Sequence, residues 1–153
     1  TLRFNFRGVG KSQGSFDSGI GELSDAASAL DWVQSIHPEA QTTWIAGYSF
    51  GALIGMQLLM RRPEIDRFIS VAPPAHMYDF NFLAPCPSSG LIVHGDKDAV
   101  VPLASVQTLV EKLKTQKGIV IEQQIIPGAN HFFDGKTEEL MGVVGTYLDK
   151  RLP

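Results

Sequence analysis

The sequence is poor in cysteine and in charge. Cys86 is the only cysteine among 153 residues, so no internal disulfide can form, and no metal-ligand spacing surrounds it. We expect this thiol to be a small buried side chain in a protein of the reducing cytoplasm. Charged residues make up 19% of the chain, the net charge is -3, and the basic residues are scattered. This charge distribution argues against nucleic acid and an anionic membrane surface as partners.

Long apolar runs are also missing. The most apolar stretch, residues 46–60, is interrupted by Tyr48, Ser49 and Gln57 and is shorter than a bilayer requires. The sequence therefore predicts no membrane-spanning segment. Hydrophobic residues nevertheless reach 44% of the chain, which is typical of a globular domain with an ordinary core.

The first residue is Thr1 rather than methionine, and the strand-like run Leu2–Phe6 follows at once. We expect the chain to be a fragment with residues missing at its front.

Strand-like and helical patterns alternate along the chain. Such alternation predicts crossover units and an α/β fold, a mostly parallel sheet with helices on both faces. We interpret residues 1–153 as one domain with a short irregular, proline-rich insertion at 73–87. The predicted strands are Leu2–Phe6, Thr42–Ala46, Phe68–Val71, Leu91–His94 and Ile119–Ile126, and the predicted helices are Leu23–Ile36, Leu53–Met60, Pro102–Lys114 and Thr137–Tyr147.

A glycine-rich turn, Gly8–Gly14, contains the Gly-Lys-Ser that ends a phosphate-binding loop. A phosphate loop also needs a glycine where Asn5 stands and a helix directly after it, whereas residues 13–21 read as loop. The glycine spacing does not fit the dinucleotide fingerprint either. We therefore interpret these glycines as a sharp turn at the carboxyl end of a strand.

The segment Gly47-Tyr48-Ser49-Phe50-Gly51 matches G-x-S-x-G between a predicted strand and a predicted helix. A strand-to-helix elbow needs small residues two positions before and after the serine so that the turn can close and expose the hydroxyl. Ser49 is therefore the predicted nucleophile. We also expect a glycine one turn later, Gly55, to allow close helix packing.

A serine hydroxyl needs a base to remove its proton and an acid to hold that base. His131 follows the last predicted strand, and two aspartates, Asp96 and Asp98, follow the strand before it. The two side chains one residue apart point in different directions, so only one reaches the base. We favour Asp98 as the acid, with Asp96 as the rival that could instead brace the turn.

The other histidines and one further aspartate have less specific surroundings. His37 is predicted to cap a helix or to be solvated, and His94 to hydrogen-bond within its turn. His76 could touch substrate. Asp134 fits the N-cap of the last helix.

Four segments resemble the α/β-hydrolase superfamily, and within it a small bacterial branch of dienelactone-hydrolase-like serine hydrolases. They are RFNFRGVGKSQG, like the loop after that family's fourth strand, GYSFGA, like its nucleophile elbow, HGDKDAVVP, like its acid loop, and GANHFF, like its histidine loop. The resemblance implies that Asp98 is the acid and that the N–H of Phe50 is one oxyanion-hole donor. It also implies an α/β-hydrolase fold that lacks its first three strands here, with the second donor in the missing part.

The residues and the resemblance together predict a serine hydrolase that cleaves a carboxylic ester or thioester through an acyl-enzyme. The expected partner is a small-molecule acyl ester or thioester, the predicted substrate-binding residues are Tyr48, His76 and Met77, and no metal or cofactor is required. The sequence leaves open whether the protein forms a homo-oligomer. The alternatives are a serine peptidase or thioesterase with the same triad and a non-catalytic interaction module of the same fold.

Overall fold

Four parallel strands form a single sheet in the computed structural model, which describes residues 1–153. The strands lie in the order β1-β2-β3-β4. The elements in chain order are α1 (Ile20–Ile36), β1 (Trp44–Tyr48), α2 (Phe50–Leu59), β2 (Arg67–Val71), a 3-10 helix (Asn81–Leu83), β3 (Ser89–Gly95), α3 (Leu103–Lys114), β4 (Ile121–Ile126) and α4 (Thr137–Arg151). No helix has both the length and the apolar character needed to cross a membrane.

Helices cover both faces of the sheet, as the alternation of patterns predicts. Neighbouring strand residues point to opposite faces, so that Phe68 and Ile92 join one apolar cluster while Ile69 and Leu91 join another. The larger cluster packs against α1, α2 and α3, and the smaller one against α4, where Tyr147 is buried. The central strands β2 and β3 are therefore apolar on both sides, as parallel strands usually are.

The predicted strand at Leu2–Phe6 is wrong, because this segment lies outside the sheet. β1 forms its ladder with β2 alone, and no strand pairs with its other edge. Phe6 instead packs against the larger cluster, where its ring meets the Phe50 ring edge-on with the two ring centres 5.8 Å apart. The alternating apolar side chains are half-buried at Leu2 and Phe6 but exposed at Phe4, and alternation alone does not supply a strand to pair with.

The proline-rich insertion is packed onto the domain rather than held away from it. Leu83 and Cys86 are buried in the larger cluster, which confirms the expected burial of the thiol. The side chain of Gln116, just after α3, accepts a hydrogen bond from the Cys86 N–H (2.5 Å) and donates one to the Leu83 carbonyl (2.8 Å). This segment is therefore a fixed loop along most of its length.

Candidate active site

The elbow between β1 and α2 holds Ser49 in a backbone conformation that few residues adopt. Its φ of 53° and ψ of -118° lie on the positive-φ side, where a side chain is crowded by its own backbone. The Ser49 N–H donates to the Val71 carbonyl at 2.8 Å, which fixes the turn to the end of β2. Such strain concentrates at functional sites, where it presents a side chain that a relaxed turn would not.

Three glycines near the elbow differ in whether a larger side chain would fit in their place. A Cβ at Gly47 would collide with the backbone carbonyl of Gly51, so the turn can close only with glycine at 47. A Cβ at Gly51 would meet nothing within 4 Å, and one at Gly55 would lie an ordinary 3.5 Å from Ile45. The expected need for small residues therefore holds before the serine, whereas the positions after it are open.

Ser49, His131 and Asp98 form a continuous line of hydrogen bonds. The Ser49 Oγ lies 3.0 Å from His131 Nε2, and His131 Nδ1 lies 2.7 Å from Asp98 Oδ2. Because the carboxylate accepts from Nδ1, the lone pair of the neutral imidazole is at Nε2 and faces the hydroxyl. His131 is only 6% exposed, and the Asp98 side chain is 1% exposed.

The two aspartates of the acid loop point in different directions. Asp98 Oδ1 accepts hydrogen bonds from the N–H groups of Val100 (2.8 Å) and Val101 (2.7 Å), which leaves Oδ2 for the imidazole. Asp96 Oδ1 accepts from the N–H of Gly128 at 2.7 Å. Asp96 therefore braces the turn that leads to His131, while Asp98 touches the imidazole itself.

Gly95, which the sequence analysis did not single out, lets the acid loop and the histidine loop meet. A Cβ at this position would collide with the Ala129 backbone, and the Lys97 N–H donates to the Ala129 carbonyl at 3.0 Å. Ala129 is itself fully buried. The signal was available in the sequence, because a glycine within a buried strand often marks a close approach of two backbones.

A second histidine lies behind the acid. His94 is completely buried, its Nε2 donates to the Val101 carbonyl at 2.8 Å, and the same nitrogen lies 3.6 Å from Asp98 Oδ2. Burial lowers the pKa of His94, so its imidazole is neutral near pH 7. This agrees with the structural role predicted for it, since the bond to Val101 closes the acid loop.

Of the remaining predicted site residues, two flank the serine and two lie on a separate turn. Tyr48 directly precedes it, and the Tyr48 hydroxyl donates to the His131 carbonyl at 2.8 Å. Phe50 opens α2, so its N–H has no acceptor within that helix. His76 and Met77 lie on an exposed turn after β2, and no hydrogen bond joins them to the triad.

The N-cap prediction for Asp134 is wrong. Lys136 occupies the N-cap of α4, and Asp134 instead accepts a hydrogen bond from the Asn130 amide at 2.9 Å within the histidine loop. The loop turns once more before the helix begins, which a capping pattern does not reveal.

His37 does occupy the C-cap of α1, with its ring exposed. No cluster of three or more His, Cys, Asp or Glu side chains could hold a metal ion.

Two family models match the chain. The model of the α/β hydrolase fold matches residues 1–89, which include Ser49. The model of the prolyl oligopeptidase family matches residues 69–144, which include Asp98 and His131. The two matched ranges overlap and together run through the elbow, the acid loop and the histidine loop.

Related proteins are longer than this chain. Uncharacterized protein RP471 of Rickettsia prowazekii is 54% identical over 151 residues, which are 96% of this chain and 63% of that protein. The chain thus spans less than two thirds of this curated relative. Protein ATU1826 of Agrobacterium tumefaciens, whose function is unknown, has a structure with a TM-score of 0.95 and 69% identity, over 98% of this chain and 69% of that one.

Two further solved structures are serine hydrolases by description. An α/β serine hydrolase homologue from Coxiella burnetii has a TM-score of 0.82 and 39% identity, over 95% of this chain and 67% of that one. XC6422 of Xanthomonas campestris, described as an α/β serine hydrolase without a lid, has a TM-score of 0.86 and 36% identity, over 99% of this chain and 66% of that one.

Proposed function

The chain belongs to the α/β-hydrolase fold family, and from this premise we propose that it is a serine hydrolase of carboxylic esters or thioesters. The observation that supports this proposal is the line of hydrogen bonds from the Ser49 hydroxyl through His131 to the buried Asp98 carboxylate. A serine in an ordinary turn has no such partners. The strained backbone at Ser49 adds support, because it keeps the hydroxyl at the carboxyl end of the sheet.

In the proposed reaction, Ser49 Oγ attacks the substrate carbonyl while its proton moves to His131 Nε2. Asp98 holds the imidazole in the required tautomer and stabilises the imidazolium that forms. The N–H of Phe50 donates to the oxyanion of the tetrahedral intermediate. Collapse of this intermediate breaks the bond to the leaving alcohol or thiol, which takes the proton from His131.

The acyl group then remains as an ester on Ser49. Water attacks this ester while His131 accepts a proton from the water. The second tetrahedral intermediate then collapses, which breaks the bond to Ser49 Oγ and releases the acid, while His131 returns the proton to Ser49 Oγ. The chain's own residues thus supply the nucleophile, the base, the acid and one oxyanion donor.

A serine peptidase is the second candidate, because the prolyl oligopeptidase model matches the part that contains Asp98 and His131. The same residues would attack an amide carbonyl, and His131 would protonate the leaving amine. Hydrolysis of 4-nitrophenyl acetate, an acyl thioester and a peptide anilide by one preparation separates the three substrate classes.

The proposed function is tested with a fluorophosphonate probe, which phosphonylates an activated serine. The experiment uses the longest natural form of the protein that contains these residues. We expect rapid labelling of Ser49, and a loss of ester hydrolysis on the order of 10⁶-fold in Ser49→Ala. Ser35→Ala is the matched control, because Ser35 is exposed at the end of α1 and bonds only the Trp32 carbonyl. A folded protein that resists the probe would instead be a non-catalytic module.

A further inference from the structure

The nucleophile and the base reach the site from the two outer strands of the sheet. Ser49 follows β1 and His131 follows β4, and these strands are separated by β2 and β3. Three strand spacings amount to roughly 14 Å. The 3.0 Å separation of Ser49 Oγ and His131 Nε2 is therefore set by the loop after β4 rather than by its strand.

Two hydrogen bonds hold the first part of this loop to the acid loop. The Gly128 N–H donates to Asp96, and the Ala129 carbonyl accepts from Lys97. These contacts end two residues before His131. These hydrogen bonds fix the histidine loop relative to Asp98. They do not fix this loop relative to β1, the strand that leads to Ser49.

Besides the bond between Ser49 and His131 itself, one hydrogen bond joins the histidine loop to the end of β1. The Tyr48 hydroxyl donates to the main-chain carbonyl of His131 at 2.8 Å. The Tyr48 ring also lies 5.4 Å from the imidazole, and the Phe132 ring meets the imidazole edge-on at 5.3 Å. The imidazole thus contacts both rings. The main chain of His131 is hydrogen-bonded to Tyr48.

We propose that Tyr48 is a positioning residue that sets the separation of Ser49 and His131 by holding the His131 carbonyl. The proposal rests on the proposed function, since it concerns the same site. A bound carbonyl fixes the peptide plane after His131 and with it the direction of the side chain. Displacements of about 1 Å at a reacting centre can cost about 100-fold in rate, so a single well-placed bond matters.

The Tyr48 hydroxyl remains a donor throughout the working range of pH. Burial, together with the negative charges of Asp98 and Asp134, raises the pKa of Tyr48 above its ordinary value of 10.0. Loss of the phenolic proton would replace a donor with an anion facing a carbonyl oxygen. The contact is therefore not disturbed by the pH changes that a hydrolase assay covers.

Tyr48→Phe tests the proposal, because it removes the hydroxyl and keeps the ring beside the imidazole. We expect kcat for 4-nitrophenyl acetate to fall roughly three- to tenfold, the effect of one neutral hydrogen bond, with KM unchanged. The matched control is Tyr147→Phe. The Tyr147 ring is buried beside Trp44, which begins β1 four residues before Tyr48, so Tyr147 lies away from the triad and kcat should not change.

A second measurement separates positioning from folding. The proton between His131 Nδ1 and Asp98 gives a low-field NMR resonance when the imidazole is held, and we expect it to broaden in Tyr48→Phe but not in Tyr147→Phe. An unchanged kcat, or a raised KM with kcat unchanged, would overturn the proposal, as would a lower melting temperature without a change in kcat. An inactive wild-type protein would instead count against the proposed function.

Discussion

At the scale of single residues, the acid loop contains two aspartates whose carboxylates bind different partners. Asp98 directs one carboxylate oxygen at His131 and the other at two backbone N–H groups. Asp96 directs its carboxylate at the Gly128 N–H. In the proposed reaction, therefore, only Asp98 would stabilise the positive charge on the imidazole, and the difference can be measured with isosteric amides.

We predict that Asp98→Asn lowers kcat by about 10⁴-fold, because the amide favours the wrong imidazole tautomer. Asp96→Asn keeps an oxygen that accepts from Gly128, so its kcat should stay within about threefold of wild type. Steady-state ester hydrolysis measures both. Equal losses in the two variants would show that Asp96 takes part in the proton transfer.

At the scale of elements, the turn from β1 into α2 depends on one glycine. A Cβ at Gly47 would collide with backbone atoms of Gly51, which cannot move aside as a flexible side chain can. A Cβ at Gly55 would sit at ordinary contact distance from Ile45. The same substitution should therefore have opposite effects at two positions eight residues apart.

We predict that Gly47→Ala destabilises the fold by about 1–3 kcal/mol and abolishes probe labelling, since the elbow must open. Gly55→Ala should raise the free energy of unfolding by about 0.5–1 kcal/mol with activity intact, because alanine is the better helix former. Urea denaturation gives both values. A destabilised Gly55→Ala would mean that α2 cannot accept a methyl group at this position.

Local patterns predicted most of the elements and pointed to Ser49, Asp98 and His131, which the structure brings together, because each carries its own signal. The elbow has a strand, a serine between glycines and a helix, and the acid and the histidine each follow a buried strand. The segment Leu2–Phe6 failed because pairing depends on a neighbouring strand. The Tyr48 bond to His131 was equally invisible, since it joins residues 83 apart in the sequence.

At the scale of the whole molecule, several groups bind protons less readily in the folded state than in the unfolded one. Burial lowers the pKa of His94 below its ordinary 6.5. Arg7 lowers the pKa of Asp25, and Arg151 lowers that of Glu122, from ordinary values of 3.8 and 4.5. Below each ordinary value the unfolded chain binds more protons, so the free energy of unfolding decreases on acidification.

We predict two windows of acid sensitivity, one starting near pH 6.5 from His94 and a second below about pH 4.5 from the carboxylates. His94 contributes at most about 1.4 kcal/mol per pH unit to the slope of the free energy of unfolding in the first window. This contribution to the slope ends once the pH falls below the pKa of His94 in the folded state. Urea denaturation at pH 7.5 and 5.5 measures this slope, which should shrink in His94→Gln. His37→Gln, at an exposed position, is the control, and an unchanged slope in His94→Gln would contradict the prediction.

The order of the strands along the chain has a consequence for biosynthesis. The serine lies 82 residues before the histidine that would activate it, so a growing chain exposes the hydroxyl long before its base is made. At bacterial or eukaryotic elongation rates of about 5–20 residues per second, this interval is roughly 4–16 s. Under the proposed function, a growing chain that ends before His131 would lack its base, and hydrolysis would begin only after this residue has been translated and its loop has folded onto the sheet.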